Sequence, residues 1–231
     1  MSAPDAALAA AIAAGDAAAL EAQATARAGS GIPLAAWPAA LEELRSALES
    51  AATGLLHAAG LANVILGPDP ALPYPGAVPS ALGVASARAT GAASDVAVAR
   101  SAIGIELRRP ATTPGADPAL PGSRAGQSLR ELAGALQAAA REREEDTHLD
   151  VLIAVTGQQA LALEALSGAC GALFPAITAT CERMPGAAAW RTTRAASPVR
   201  RASDTLRKAA AITTLARGHL ADELARQQAA S

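Results

Sequence analysis

The residues best able to do chemistry in this chain are few and widely scattered. Glu145 and His148 form a Glu-x-x-His pair, which on a helix places a carboxylate and an imidazole on one face. A di-iron bundle needs two such pairs and two further carboxylates, but His57 and His219 have no glutamate three positions earlier. We therefore interpret His148 as an exposed residue at a helix end and predict no metal site.

Cys170 and Cys181 are the two thiols of the chain, and they fall on one apolar stripe with Leu163, Phe174 and Ile177. If this segment is helical, the two cysteines lie about 16 Å apart along the axis, which is too far for a disulfide. A catalytic thiol needs an imidazole and a positive environment, and no histidine is close in sequence. Cysteine on such a stripe is typical of a small core residue.

Phosphate-binding and hydrolase motifs are missing from the sequence. No glycine-rich loop ends in Gly-Lys-Ser/Thr, and the Gly29-Ser30-Gly31 stretch lacks a third glycine and a preceding strand. No Gly-x-Ser-x-Gly nucleophile elbow occurs either. These absences favour a non-enzyme, and we predict no catalytic or cofactor-binding residue and no cofactor.

Charge is unevenly distributed in a chain whose net charge is −2. In residues 1–66 six acidic residues stand against two basic ones, whereas in residues 182–208 seven basic residues stand against two acidic ones. In the basic segment Arg200, Arg201 and Arg207 can share a helix face, so a binder of an anionic polymer is one alternative function. No set of aromatic side chains accompanies them, and a solvated helix face is the simpler interpretation. The same polarity can steer head-to-tail contacts between copies.

Two heptad registers predict the helices that must position these residues. Apolar side chains spaced alternately three and four residues apart form one stripe of a helix, which packs against a neighbouring helix. Where the residue is alanine, the two helix axes can approach closely. The first seam is Leu41, Leu44, Leu48, Ala51, Leu55, Ala58, Ala62 and Ile65, and the second is Val78, Leu82, Ala85, Ala89, Ala92, Val96, Ala99 and Ile103.

Composition extends this pattern to the whole chain, since 67 of its 231 residues are alanine, the strongest helix former. We predict an all-α, alanine-rich helical bundle with heptad seams and proline-rich connectors. Residues 1–109 form an N-terminal helical region, 110–126 a proline-rich linker and 127–231 a C-terminal helical region, or the whole chain is one domain. The pentapeptide Asp-Pro-Ala-Leu-Pro occurs in both connectors, at 69–73 and 117–121, which leaves an internal duplication open.

Smaller signals predict where individual helices begin. Asp16 after Gly15 divides the first alanine-rich segment into two helices. Ser128 and Glu131 form a capping box that begins a helix. The pair Ser197-Pro198 begins the last helix as its N-cap and first residue.

An α/β fold is the alternative. Short apolar runs near 62–67, 103–107 and 149–155 can form parallel strands. Such a sheet would place a ligand site near Gly67 and Thr156-Gly157, at the carboxyl ends of the strands, and the protein would be a small enzyme.

The favoured prediction for function is a non-catalytic assembly or adaptor protein, a structural component of a larger complex that works through helix–helix packing. Its partners are other copies or other helical subunits, and nucleic acid is not favoured. The N-terminus has no basic start typical of a secretory signal and no stretch resembles a membrane span, so we expect a cytoplasmic location. The residues predicted to make interactions are Leu44, Leu48, Leu55, Leu82, Val96, Arg200, Arg201 and Arg207.

Overall fold

The computed structural model describes residues 3–30, 34–67, 77–107, 124–142, 149–183 and 188–230, and in these residues it contains no β-strand. A 3₁₀ turn at Leu34–Ala36 precedes α2, and a π-helical turn at Thr192–Ala196 joins α6 to α7. The helices are α1 (Ala3–Ser30), α2 (Trp37–Leu66), α3 (Ala77–Leu107), α4 (Ala125–Glu142), α5 (Leu149–Glu182), the one-turn α6 (Ala188–Arg191) and α7 (Ser197–Ala230).

The predicted all-α bundle is confirmed, and both heptad seams lie in its core. The members of the first seam from Leu41 to Ala62 are at most 5% exposed, and Ile65 at its end is half-buried. Every member of the second seam, from Val78 to Ile103, is at most 3% exposed. The heptad spacing therefore identifies the buried stripes of α2 and α3 along almost their full length.

The six long helices form two layers of three. One layer has the order α4, α2, α3 and the other has the order α1, α5, α7. Across the layers α4 packs on α1, α2 on α5 and α3 on α7. Consequently α2 and α5 are the central helices, α1 and α4 form one edge of the bundle, and α3 and α7 form the opposite edge.

Small residues let α5 approach α1 and α7 closely. A Cβ at Gly168 of α5 would collide with the carboxyl group of Glu21 from α1. Ser167 of α5 donates its hydroxyl to the backbone carbonyl of Ser203 in α7 at 2.9 Å, and Ser203 donates to the carbonyl of Ser167 at 2.9 Å. These reciprocal hydrogen bonds satisfy two buried hydroxyls at the contact between the helices.

The buried face of α1 is also a seam. Its members again alternate between spacings of four and three residues, and none is more than 7% exposed. Five of the six are alanine: Ala6, Ala10, Ala13, Ala17, Leu20 and Ala24. Because methyl groups bury little area, α1 depends on close approach to α5 rather than on large side chains.

The alternative α/β fold is wrong. Residues 62–66 belong to α2, 103–107 to α3 and 149–155 to α5. The run that begins at Leu149 resembles a buried strand because α5 is a central helix with neighbours on several sides. Its apolar residues therefore exceed a single stripe, and periodicity cannot separate such a helix from a strand.

Three predicted helix starts also need correction. The first segment is not divided at Gly15, because α1 runs without a break to Ser30. Ser128 and Glu131 form no capping box, since α4 begins at Ala125 and the Ser128 hydroxyl donates to the backbone carbonyl of Arg124. The last helix does begin at Ser197, as predicted, but Ser197 is not an N-cap, because its backbone is already helical after the π-helical turn.

The helices on both sides of the predicted linker contribute to one hydrophobic cluster, through contacts such as α1 with α5 and α3 with α7. Residues 68–76 and 108–123, which include both copies of the repeated pentapeptide, lie outside the described residues. Of the predicted linker 110–126, Ala125 and Gly126 belong to α4. The division into two regions stays a prediction.

Candidate interaction surfaces

The five apolar residues predicted to make interactions lie inside this chain's own core. Leu44, Leu48 and Leu55 of α2 are at most 1% exposed, and Leu82 and Val96 of α3 are fully buried. They pack against helices of the same chain, because α2 contacts α3, α4 and α5 and α3 contacts α2 and α7. Their contact with a partner chain stays a prediction, and the surfaces open to a partner lie on the outer faces of the helices.

The three predicted arginines lie on the outer face of α7 and contact groups of the same chain. The Arg200 guanidinium lies 5.7 Å from the centre of the Phe174 ring. Arg201 Nη2 donates to Asp95 Oδ1 of α3 at 2.8 Å. Arg207 Nη1 lies 3.5 Å from Asp204 Oδ1 one turn earlier. Since all three remain exposed, binding of an anionic polymer stays a prediction.

Both cysteines are free thiols in the core, which agrees with their interpretation as small core residues. Burial raises the pKa of Cys170 to about 12. Burial also raises the pKa of Cys181, against an opposing effect of the Arg191 guanidinium. The thiolate is the nucleophilic form, so burial makes both side chains poor nucleophiles at neutral pH.

Sequence reasoning missed a buried ion pair near the end of α3. Arg191 Nε lies 3.3 Å from Glu106 Oε2, and both side chains are about nine-tenths buried. The pair joins the C-terminal turn of α3 to α6, 85 positions later in the chain. No sequence spacing connects two residues so far apart, and only tertiary packing brings them together.

Neither a metal site nor the ligand site of the α/β alternative forms in the residues that the structure describes. Among them no three histidine, cysteine or carboxylate side chains are placed to hold a metal ion. Thr156 is fully buried and donates its hydroxyl to the Leu152 carbonyl at 2.8 Å, and the Arg217 side chain lies over Gly157. Residues 143–148, which contain the Glu145 and His148 pair, lie outside the described residues.

The outer face of α1 is nearly free of charge. Among its described residues, Asp5 is the one charged residue in the exposed class, and Asp16, Glu21 and Arg27 are half-buried. Leu8 is 64% exposed and Ile12 is 50% exposed, and the rest are small or uncharged. These further exposed residues are Ala11, Gly15, Ala18, Ala19, Ala22, Thr25, Ala26, Gly29 and Ser30. A helix that is apolar on its outer face as well as its inner face resembles one that is covered on both sides.

A groove lies between α1 and α4 at the position of Leu8 and Ile12. It contains about 550 Å³ of space, and its other lining residues are Asp5, Ala9, Ser128, Glu131, Gly134 and Ala135. Small residues on both helices keep the groove open, since no atom lies within 4 Å of the position that a Cβ of Gly134 would occupy. The groove is therefore apolar along its walls, with two carboxylates among its lining groups.

The outer face of α7 is predominantly charged and polar, with one large apolar residue in it. Leu215 is 60% exposed. One turn before it lies Ala211 and one turn after it lies Gly218, both exposed. Between Ser197 and Leu220 the helix carries five basic side chains and a single acidic one: Arg200, Arg201, Arg207, Lys208 and Arg217 against Asp204.

The central helix α5 is long and apolar enough, by length and composition, to cross a membrane. However, 61% of its most apolar 18-residue window is buried inside the bundle. This is weak evidence for a span, because a buried core helix passes the same test.

Comparison with known proteins gives no relative: no protein-family model, no curated protein and no solved structure matches this chain.

Proposed function

We propose that this chain is a non-catalytic assembly or adaptor protein, a structural component of a larger complex that acts through helix–helix packing. The observation that carries the proposal is the outer face of α1, which extends for about 42 Å with Asp5 as its charged exposed residue among those described. Leu8 and Ile12 make this face apolar at its N-terminal half. A contiguous exposed apolar face marks a site of contact with another molecule.

The chemically capable groups support a structural rather than a catalytic role. The two thiols are buried, and Glu106 and Arg191 form a buried pair that joins two helices. Arg201 forms an ion pair that joins α7 to α3. Each of these groups thus takes part in holding helices together. The partners we propose are copies of this chain or other helical subunits, in the cytoplasm.

A charge placed on the outer face of α1 tests this proposal. Ala11→Glu puts a carboxylate between Leu8 and Gly15, at an exposed position where the fold itself has room. Ala225→Glu is the matched control, because it makes the same change at an exposed position of α7, about 15 Å along the helix from Leu215. Molar mass by light scattering behind a sizing column is the readout.

We expect the parent chain and Ala225→Glu to form the same multimer, and Ala11→Glu to dissociate toward the 22.8 kDa monomer. Circular dichroism should show the same helix content for all three proteins. A parent chain that stays monomeric up to about 100 μM would contradict assembly between copies of this chain, since specific interfaces at that concentration are populated even at micromolar affinity. An Ala11→Glu protein that assembles as well as the parent would contradict the role of α1.

A further inference from the structure

We propose that the partner in the α1/α4 groove is a second copy of this chain, which inserts the outer face of α7 around Leu215. This inference rests on the proposed assembly function and names the two surfaces that meet. It follows from the chemistry of the groove, the chemistry of α7 and the positions of both in the bundle.

The groove selects an apolar occupant with positive charge beside it. Leu8 and Ile12 form its apolar wall, and Gly134 leaves room for a partner backbone to approach. Its charged lining groups are the carboxylates of Asp5 and Glu131, and no basic side chain lines it. A basic flank on the occupant therefore adds electrostatic complementarity to apolar contact.

The outer face of α7 has both properties. Leu215 lies between Ala211 and Gly218 on the same face of the helix. Its large side chain therefore projects beyond the small side chains one turn before it and one turn after it. No atom of the chain lies within 4 Å of the position that a Cβ of Gly218 would occupy. Lys208 is two turns before Leu215, about 10 Å along the axis, within reach of a carboxylate at the groove.

The positions of the two surfaces make the contact a head-to-tail one. The groove belongs to the α1/α4 edge of the bundle, and Leu215 belongs to the α3/α7 edge on the other side. Each copy can thus use its groove and its α7 face at once, and such a heterologous interface generates a ring or a filament.

Electrostatics disfavours the rival two-fold arrangement, in which the grooves of two copies face each other. That arrangement would bring Asp5 and Glu131 of both copies together, and like charges across an interface oppose binding. Pairing with α7 instead places these carboxylates opposite a helix on which exposed basic residues outnumber exposed acidic residues six to two, the acidic ones being Asp204 and Asp222.

Complementing variants test this inference. Gly134→Leu places a large side chain in the groove at a position where a Cβ meets no neighbouring atom, and it leaves the α7 face intact. Leu215→Asp removes the apolar residue of α7 and leaves the groove intact. We expect each variant alone to be a monomer, and a 1:1 mixture to form a dimer of twice 22.8 kDa, about 46 kDa, because one intact groove then meets one intact α7 face. Gly60→Leu is the control for adding a leucine at an open helical glycine, and it should assemble like the parent.

A charge exchange gives a second reading that does not depend on the glycine variant folding. Glu131→Lys and Lys208→Glu should each weaken assembly at least tenfold, and the double variant should recover most of the loss.

If the parent assembles and none of these variants changes its mass, the groove contact is wrong while the assembly function stands. If each single variant still forms a closed dimer, the interface is two-fold and not head-to-tail. A monomeric parent would instead contradict self-assembly, the part of the proposed function on which this inference rests.

Discussion

The helices α1 and α7 both pack against α5, yet they present different faces to solvent. Each has a buried heptad seam, from Ala6 to Ala24 in α1 and from Val199 to Leu220 in α7. On the outside, α1 exposes one charged residue among those described, whereas α7 exposes eight. The exposed charged residues of α7 are Arg200, Arg201, Asp204, Arg207, Lys208, Arg217, Asp222 and Arg226.

The inner and outer faces of these helices therefore meet different physical requirements. The inner faces pack against α5 of the same chain. Small residues are enough to fill this contact because α5 approaches closely. The outer face of α7 has the composition expected of a solvated surface, whereas that of α1 does not. A chain that folds alone gains nothing from an outer face with so little charge, which is why we propose that α1 makes a contact between molecules.

The largest effect is expected from a charge in either inner seam. Leu20→Asp in α1 and Leu206→Asp in α7 each bury an unpaired carboxylate, as would the change Leu48→Asp in α2. We expect a loss of at least 3–5 kcal/mol, similar to breaking a buried pair, and a largely unfolded protein at 37 °C. Circular dichroism melting curves measure this loss.

The exposed alanines Ala19 of α1 and Ala225 of α7 are the controls for these variants, since aspartate at either position remains in water. Their melting temperatures should stay within a few degrees of the parent value. If Leu20→Asp melts like Ala19→Asp, the inner face of α1 is not a packed seam.

The second prediction concerns overpacking of the alanine seam in α1. Ala13 is fully buried against its neighbours, so Ala13→Leu should cost about 1–3 kcal/mol of unfolding free energy. The exposed position Ala11 on the same helix should accept leucine at little cost. Urea unfolding of both proteins measures the difference, and equal midpoints would mean that α1 is loosely docked.

A smaller effect is expected at the contact between α5 and α7. Ser203→Ala removes the hydroxyl that donates to the Ser167 carbonyl, and the Ser167 hydroxyl keeps its own acceptor. We expect a loss of about 1 kcal/mol in urea unfolding, the usual worth of one hydrogen bond. Thr214→Ala at an exposed position of the same helix should be close to neutral. A loss no greater than that of Thr214→Ala would mean that the Ser203 hydrogen bond does not stabilise the contact between α5 and α7.

The smallest effect is expected from the surface ion pair of α7. Arg201 is 59% exposed at its side chain, so solvent screens its contact with Asp95. Arg201→Ala should cost less than about 1 kcal/mol, and the cost should shrink further in 0.5 M salt. A larger, salt-independent loss would mean that the charged face of α7 stabilises the fold, contrary to the comparison with α1.

The sequence predicts the fold best where large and small residues alternate. In α2 and α3 leucine, isoleucine and valine occupy part of the inner stripe, so the heptad register is visible, and both predicted seams lie inside the helices Trp37–Leu66 and Ala77–Leu107. In α1 alanine occupies both faces, and the pattern has no contrast that could reveal the seam. Because α5 is buried on several sides, its apolar residues do not repeat with the helical period. The sequence of 149–155 therefore resembles a strand.

The candidate interaction surface is not visible in the sequence, because it depends on which helices meet. Leu8 and Ile12 become one wall of a groove only when α4 places Gly134 beside them. Leu44, Leu48 and Leu55 lie on the predicted seam and are buried, and the helices they pack against belong to the same chain. Periodicity shows that a stripe needs a partner and does not say which chain supplies it.

The molar mass of the purified parent chain, measured by light scattering from about 1 to 100 μM, tests the central claim most directly. We predict a mass above 22.8 kDa that rises with concentration as copies join through the outer face of α1. A constant mass of 22.8 kDa across this range would contradict this prediction, because the outer face of α1 would then be stable in water without a second copy.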